Sequence, residues 1–503
     1  MIGSEQAAPP RAAASPGAAP ADTATPEAQT SDRSLPYLIA GAFVLAVISV
    51  LVINWVPSSD PWAWIDWGQE ITSSHISLSL AGGPSWKPFP VVFTTVFGLF
   101  GHAAPDMWLV VARTAGLLAL LAVFRLGRRF GGSVLAGLIA VLALCFVQDA
   151  LFYFARGASE PIVAALTLWA IDRHLNGQPR FTYVLMFLAT MNRPEFSAFL
   201  GLYAIYLWLL VPGARPLAVA GLVLVPVAWL LAPYVISGNA FQAGNAALGG
   251  TGSPGGAIPE LRSASPLLTV PTLVFAAVGL AFAYVRREMT LLWLAAGAFL
   301  WAIMVALITQ VAYGLPRYLL PGGMVVCVLA GVGFARLVQM AGEKLPRPRV
   351  GGVALTSVVA GVALVALTLP WSIPRVRGLI RAGGQANSAA LYQKRLFTAV
   401  DRIGGRLTVL PCRSSVVAVN HSLASALAWK LQVPERRVHA VMSSTGYVFT
   451  APRNRNTGSR PRIRRPAARS VQAVLTLQPW TVALVRRLGA VGPPRCKPGD
   501  RSI

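Results

Sequence analysis

Eleven apolar runs, separated by short polar breaks, dictate most of what this chain can become. They fall at 35–56, 105–124, 132–150, 159–175, 181–192, 196–211, 216–236, 267–285, 289–310, 318–338 and 350–370. At 1.5 Å per residue, a helix of about 20 residues crosses the ~30 Å hydrocarbon layer of a bilayer. Only 12% of the residues are charged, about half the share usual in soluble domains. The expected fold class is therefore an all-α polytopic membrane bundle of about eleven transmembrane helices, followed by a small α/β domain.

Residues 1–34 are rich in Ala, Pro, Ser and Thr and lack apolar periodicity. They are expected to form a disordered tail and not a signal peptide, since no short apolar region with a cleavage site opens the chain. With that tail in the cytoplasm and all eleven runs crossing, 14 basic residues lie on the inner side of the membrane region and five on the outer side. The positive-inside rule favours this orientation. It requires two short spans at 181–192 and 196–211, broken at Asn192-Arg193-Pro194-Glu195. Merging them would place Arg286 and the Arg336–Arg349 cluster outside. Irregular backbone at that depth needs protein or water around it. High Ala, Arg and Gly content hints at a GC-rich bacterium, so the membrane is expected to be the bacterial cytoplasmic (inner) one.

Eleven crossings are expected to leave 371–503 on the extracytoplasmic side. That region holds 23 Lys and Arg against three Asp and Glu. A mixed domain is expected at about 387–450, an Arg/Pro-rich solvated loop at 453–469, and an ordered segment at 471–488. Its basic surface suits anionic lipid or another polyanion, and its side of the membrane excludes nucleic acid as the partner. Cys412 and Cys496 lie in this region, where an oxidising compartment permits a disulfide. No metal-type spacing such as C-x-x-C occurs.

Charges in the membrane body are few, and a charge at that depth normally pairs or lines a wet cavity. Asp60, Asp66, Glu70, Lys87, Asp149, Arg156, Glu160, Arg193, Glu195 and Arg317 all fall near the outer ends of runs. They come from separate loops, yet share one face of the membrane. The segment 57–103 is the first outer loop, amphipathic and rich in tryptophan, as for helices lying at an interface.

The order Asp60-Pro-Trp-Ala-Trp, then Gly-Gly-Pro-Ser-Trp86-Lys87-Pro-Phe-Pro, then a span ending Arg125-Leu-Gly-Arg-Arg-Phe, resembles the GT-C superfamily of glycosyltransferases. The likeness is to the protein O-mannosyltransferase and aminoarabinose lipid A transferase group. It covers about 35–340 and extends to Ala155-Arg156-Gly-Ala-Ser-Glu160-Pro161, with acid and proline exchanged in order, and to Arg317-Tyr-Leu-Leu-Pro321. The C-terminal region carries no such match.

The resemblance implies a GT-C-like fold and a sugar moved from a polyprenyl-phosphate carrier to an envelope glycan, lipid or protein, with inversion. Asp60 would be the general base on the acceptor hydroxyl. Lys87, Arg317 and Arg156 would stabilise the leaving phosphate. Glu160 would bind the acceptor, a divalent metal or one of the arginines, with Asp66 and Glu70 as further acceptor or metal candidates. Mannose or a pentose is the sugar class that analogy suggests.

Plainer roles stand beside these. Asp60 before Pro61 suits the start of an interfacial helix. Asp66 and Glu70, four apart, suit a wet helix face. Trp62 and Trp64 suit an interfacial belt, with sugar stacking as the alternative. Lys87 suits snorkelling to lipid headgroups. Arg193 and Glu195 suit an ion pair steadying the broken helix. His75 suits an exposed loop. The rival function is a transporter or flippase of lipid-linked glycans. Paired halves with interrupted spans would mark it, and no internal repeat is visible in the sequence.

Overall fold

A computed structural model describes residues 34–73, 78, 80, 83–248, 266–309, 315–344, 349–350, 353–452, 460–489 and 496. The tail at 1–33, His75 and 453–459 of the Arg/Pro-rich run lie outside the described residues.

The helices, in chain order, are α1 (Leu35–Val52), α2 (Ser59–Thr72), α3 (Pro88–Gly98), α4 (Ala104–Gly131), α5 (Val134–Cys145), α6 (Ala150–Ala155), α7 (Glu160–Leu175), α8 (Pro179–Asn192) and α9 (Ser197–Leu210). They continue with α10 (Arg215–Pro226), α11 (Ala232–Ser237), α12 (Gln242–Leu248), α13 (Val270–Val285), α14 (Met289–Ile308), α15 (Leu320–Lys344), α16 (Leu355–Arg402), α17 (Gly405–Val409) and α18 (Ala424–Leu431). Among the described residues each apolar run falls largely on these helices, with 216–236 divided between α10 and α11 and 350–370 entering α16 at Leu355. Among the described residues, six helical stretches are long and apolar enough to cross a membrane: α1, α4, α10 with α11, α14, α15 and α16.

Local chemistry sets many of the boundaries. Helices α4, α7, α8 and α13 carry Pro in their first turn, where a missing N–H is not needed. Ser133 and Thr269 accept from the amides of Ala136 and Thr272 to cap α5 and α13. Gly132, at φ 65°, stops α4 in the left-handed conformation. A π-turn at Val227–Leu231 follows Pro226 and joins α10 to α11.

Helix α15 is the centre of the bundle, most of its length buried, whereas the apolar first half of α16 is uncovered. Small residues permit that depth. A Cβ on Gly331 would strike the backbone of Ala136 in α5, and one on Gly333 would strike the backbone of Phe275 in α13. Lipid gives no hydrophobic drive for helices to associate, so close backbone packing must hold them together. The exposed Val, Leu and Phe side chains of α1, α10 and α14 form the apolar perimeter.

Helix α16 runs unbroken through the expected boundary at 370/371, with Pro370 and Pro374 inside it. Val362 and Leu367 near its start are exposed. Tyr392, Leu396 and Val400 near its end are buried in the C-terminal core.

The strands are β1 (Arg349–Val350), β2 (Val353–Ala354), β3 (Val417–Ala418), β4 (Val438–His439), β5 (Val441–Met442), β6 (Gly446–Thr450), β7 (Arg462–Ile463), β8 (Arg469–Leu477) and β9 (Trp480–Arg487). The main sheet has the order β4-β3-β6-β9-β8, parallel at β4-β3-β6 and antiparallel beyond. Trp480, Val482 and Leu484 alternate along β9 and face the core formed with α16 and α18. Cys412 and Cys496 are joined in a disulfide that closes this domain.

The C-terminal domain sits on α2. Trp62 packs against Trp429 and Phe397, with ring centroids 5.1 and 6.1 Å away, and its indole donates to Gln393 Oε1 at 3.1 Å.

Candidate functional site

Helix α2 starts where it does because the corner between α6 and α7 holds the preceding strand of chain. The amide of Ser58 donates to the Arg156 carbonyl at 3.0 Å. The Arg156 guanidinium donates to the carbonyls of Val56 at 3.2 Å and Pro57 at 3.3 Å. Asp60 thus occupies the first turn of α2, where the helix dipole favours a carboxylate.

Four other elements converge there. Glu160 lies in the first turn of α7, Arg193 at the end of α8, Arg317 in the 3-10 turn before α15, and Lys87 just before α3. Arg317 Nη2 donates to Asp60 Oδ2 at 3.3 Å, and its Nε lies 3.3 Å from Glu160 Oε1. Arg193 Nη2 donates to the same Glu160 oxygen at 2.9 Å. Lys87 Nζ donates to Ser159 Oγ at 2.8 Å, one residue before Glu160.

Aromatic faces brace the cations: Trp64 under Lys87 at 5.3 Å, Tyr318 under Arg193 at 4.6 Å, and Tyr153 under Arg317 at 5.6 Å. Burial of the Lys87 ammonium, with Arg193 close by, lowers it to about 8. Three cations against two carboxylates leave the cluster with an excess positive charge, apt for an anion.

The structure brings together Asp60, Lys87, Glu160 and Arg317, and adds Arg193. Sequence reading paired Arg193 with its neighbour Glu195; the pair the structure shows is with Glu160, across the bundle. Arg156 stands apart from the cation cluster, its guanidinium on backbone carbonyls and over the Phe152 ring at 5.1 Å. Arg113 is likewise structural, donating to the Ala155 carbonyl and to Ser49 Oγ.

The expected wet face of α2 is interior. Asp66 and Glu70 are buried, and burial, with Glu70 and then Glu435 nearby, holds Asp66 well above the usual carboxylate range. Glu435 comes from the C-terminal domain, and nothing in the first loop signals it. The expected tryptophan belt is also interior. Trp62, Trp64, Trp67 and Trp86 belong to one buried cluster: Trp62 packs on Trp429 of the C-terminal domain, Trp64 on Trp108 of α4, and Trp67 on Trp86. The Trp64 ring is 1% exposed, which removes it as a sugar platform. Among the described residues, no group of three or more His, Cys, Asp or Glu side chains is placed to hold a metal. Glu160, the first metal candidate, is engaged by two guanidiniums.

An apolar cavity of about 500 Å³ runs between α7, α8, α9, α14 and α15, walled by Met186, Phe196, Phe199, Trp301 and Val325 among others. One end of it adjoins the charge cluster: Phe196 follows Arg193 by three residues, and the Trp301 indole donates to the Tyr318 carbonyl at 2.8 Å.

No protein-family model matches the chain, and no curated protein does. Solved structures do. ArnT of Cupriavidus metallidurans, an aminoarabinose lipid A transferase, superposes in its apo state with a TM-score of 0.52 at 14% identity, over 92% of this chain and 100% of that one. The same enzyme bound to undecaprenyl phosphate gives a TM-score of 0.50 at 14% identity over the same shares. The likeness runs through the C-terminal region, beyond the part where motifs resemble one another, and at this identity it is a likeness of architecture. The chain has the GT-C fold of these transferase structures.

Proposed function

We propose that this protein is a membrane glycosyltransferase that moves a sugar from a polyprenyl-phosphate carrier to an envelope acceptor on the extracytoplasmic face. The observation that carries the reading is the Asp60–Arg317 contact at 3.3 Å, which sets a carboxylate directly against a cluster with excess cationic charge. Acceptor activation and leaving-group stabilisation need those two features side by side.

In this reading Asp60 takes the proton of the acceptor hydroxyl as its oxygen attacks the anomeric carbon. The bond from that carbon to the phosphate oxygen breaks, and the glycosidic bond forms with inversion. The released polyprenyl phosphate keeps the electron pair, and Arg317, Arg193 and Lys87 hold its charge. Glu160 positions two of these cations. The apolar cavity beside Phe196 and Trp301 suits the carrier's prenyl chain. The disulfide fits an oxidising compartment for the C-terminal domain, which supports reading the cluster as extracytoplasmic. ArnT, whose fold this chain has, is a transferase seen with undecaprenyl phosphate bound.

Binding of undecaprenyl phosphate to the purified full-length protein tests the donor side. Arg317→Ala and Lys87→Ala should each weaken it by about tenfold or more, since each removes a charge-assisted contact of ~1.5–3 kcal/mol. Undiminished binding in both variants would contradict the assignment.

A further inference from the structure

The C-terminal domain does more than cover α2, because it closes a second cavity beside Asp60. This cavity, of about 180 Å³, lies where the start of α2, the corner between α6 and α7, α16 and the turn before α18 meet. Its walls include Ser59 and Trp62, Arg156, Gln385 and Gln393 of α16, and Ser422. Given the transferase reading above, we infer that this cavity seats one hydroxyl-rich ring of the acceptor, the terminal sugar of an envelope glycan or glycolipid.

The Asp60 carboxylate joins the two sides. Its Oδ2 takes the bond from Arg317, and its Oδ1 takes one from Ser59 Oγ at 3.4 Å. Ser59 belongs to the cavity wall, and Asp60, like Lys87, Arg193 and Arg317, lies behind it, so the carboxylate meets the cavity through the Ser59 hydroxyl. One oxygen of the base is thus bonded by a cation and the other by a wall residue of this cavity, so an acceptor hydroxyl that displaces the Ser59 hydroxyl would reach the base from the side away from the cations.

The wall chemistry matches a polyol. Hydroxyls and amides both donate and accept, as the hydroxyls of a sugar ring require. The Trp62 indole takes the Gln393 carbonyl, which leaves the Gln393 Nε2 as a fixed donor. The size matches too. A site that encloses a whole small molecule usually measures ~300–1,000 Å³, so 180 Å³ accepts one residue of a longer chain. Gln385 and Ser422 at the rim are exposed, while Trp62 and Gln393 are buried. The remainder of an acceptor can thus leave through the rim into solvent.

Saturation-transfer NMR on the purified full-length protein tests this with three probes: methyl α-D-mannopyranoside, methyl α-D-glucopyranoside and methyl α-D-arabinofuranoside. At least one should bind the wild type. Ser422→Trp, which fills the rim, and Gln393→Leu, which removes the fixed donor, should each weaken it by about tenfold or more. Both variants should still bind undecaprenyl phosphate as the wild type does. Absence of binding by all three glycosides would overturn the inference, as would undiminished binding to Ser422→Trp. Loss of undecaprenyl phosphate in both variants would overturn it as well, by merging the cavity with the donor side. Failure of the wild type itself to bind undecaprenyl phosphate would instead remove the transferase reading.

Discussion

Both ends of α7 carry a buried carboxylate between two arginines, and only one end is built to change partners. At the far end, Asp172 takes Arg125 Nε at 3.3 Å on one oxygen. Its other oxygen takes Arg173 Nε at 3.0 Å and Asn176 Nδ2 at 3.2 Å. Both guanidiniums lie over the Trp169 ring. That carboxylate is 4% exposed and saturated, as a structural ion cluster must be. At the near end Glu160 is equally buried, but Arg317 reaches past it to Asp60, whose side chain is 35% exposed. The lesson is that burial and pairing alone do not mark a site. Cations exceed acids at both ends, so an ion cluster becomes chemically useful where one of its carboxylates also keeps access to solvent.

The sharpest way to separate the two ends is Asp60→Asn. Removing a general base should lower transfer by about 10²–10⁴-fold, with undecaprenyl phosphate binding held within about threefold. An equal loss of both would make Asp60 a structural residue like Asp172.

Asp172→Ala should act in the opposite sense. It strands the buried Arg173 guanidinium and the half-buried one of Arg125, and should destabilise the fold by about 3–5 kcal/mol, read by thermal melting in detergent. Turnover per folded molecule should stay at the wild-type level.

A smaller effect should appear with pH. The Lys87 ammonium near 8 is the charge that attracts phosphate, and it is lost as pH rises through that value. Carrier binding should weaken several-fold between about pH 7 and 9, and Lys87→Arg should flatten the profile.

The smallest effect concerns the contact between α2 and the C-terminal domain. Burial, with Asp60 adding to it and the Ser425 hydroxyl opposing it, raises Glu435 to about 7. A raised carboxylate favours the folded state when protonated. Its contribution is complete below the unfolded value of ~4.3 and fades as pH rises through about 7. Glu435→Gln should therefore raise the melting temperature by about 2–4 °C at pH 8 and leave it unchanged at pH 4.

Much of this was legible in the sequence, for a physical reason in each case. The apolar runs located the helices because lipid requires apolar side chains outside and satisfied backbone inside. The break at Asn192-Arg193-Pro194-Glu195 was visible because Pro194 cannot continue α8 and a charged residue stands on either side of it. Asp60, Lys87, Glu160 and Arg317 stood out because acids and bases are scarce in that region.

What stayed hidden depends on long-range docking. No local pattern says that a domain 330 residues further on covers Trp62 through Gln393, so α2 read as an interfacial helix with a wet acidic face. The same docking buries Asp66 against Glu435. One clue was present: Glu435 is one of only three acids among 133 residues of a strongly basic region, and so rare a charge usually has a partner. Arg193 turned from Glu195 to Glu160 because α7 and α8 are neighbours in space, which sequence spacing does not encode.

Mass spectrometry of envelope glycans is the most direct measurement of the central claim. It compares cells carrying the wild-type protein with cells carrying Asp60→Asn at matched protein levels. The glycan that the wild type builds should be truncated by one type of sugar residue in the variant. An unchanged glycan profile, with Asp60→Asn folded and inserted, would contradict the account.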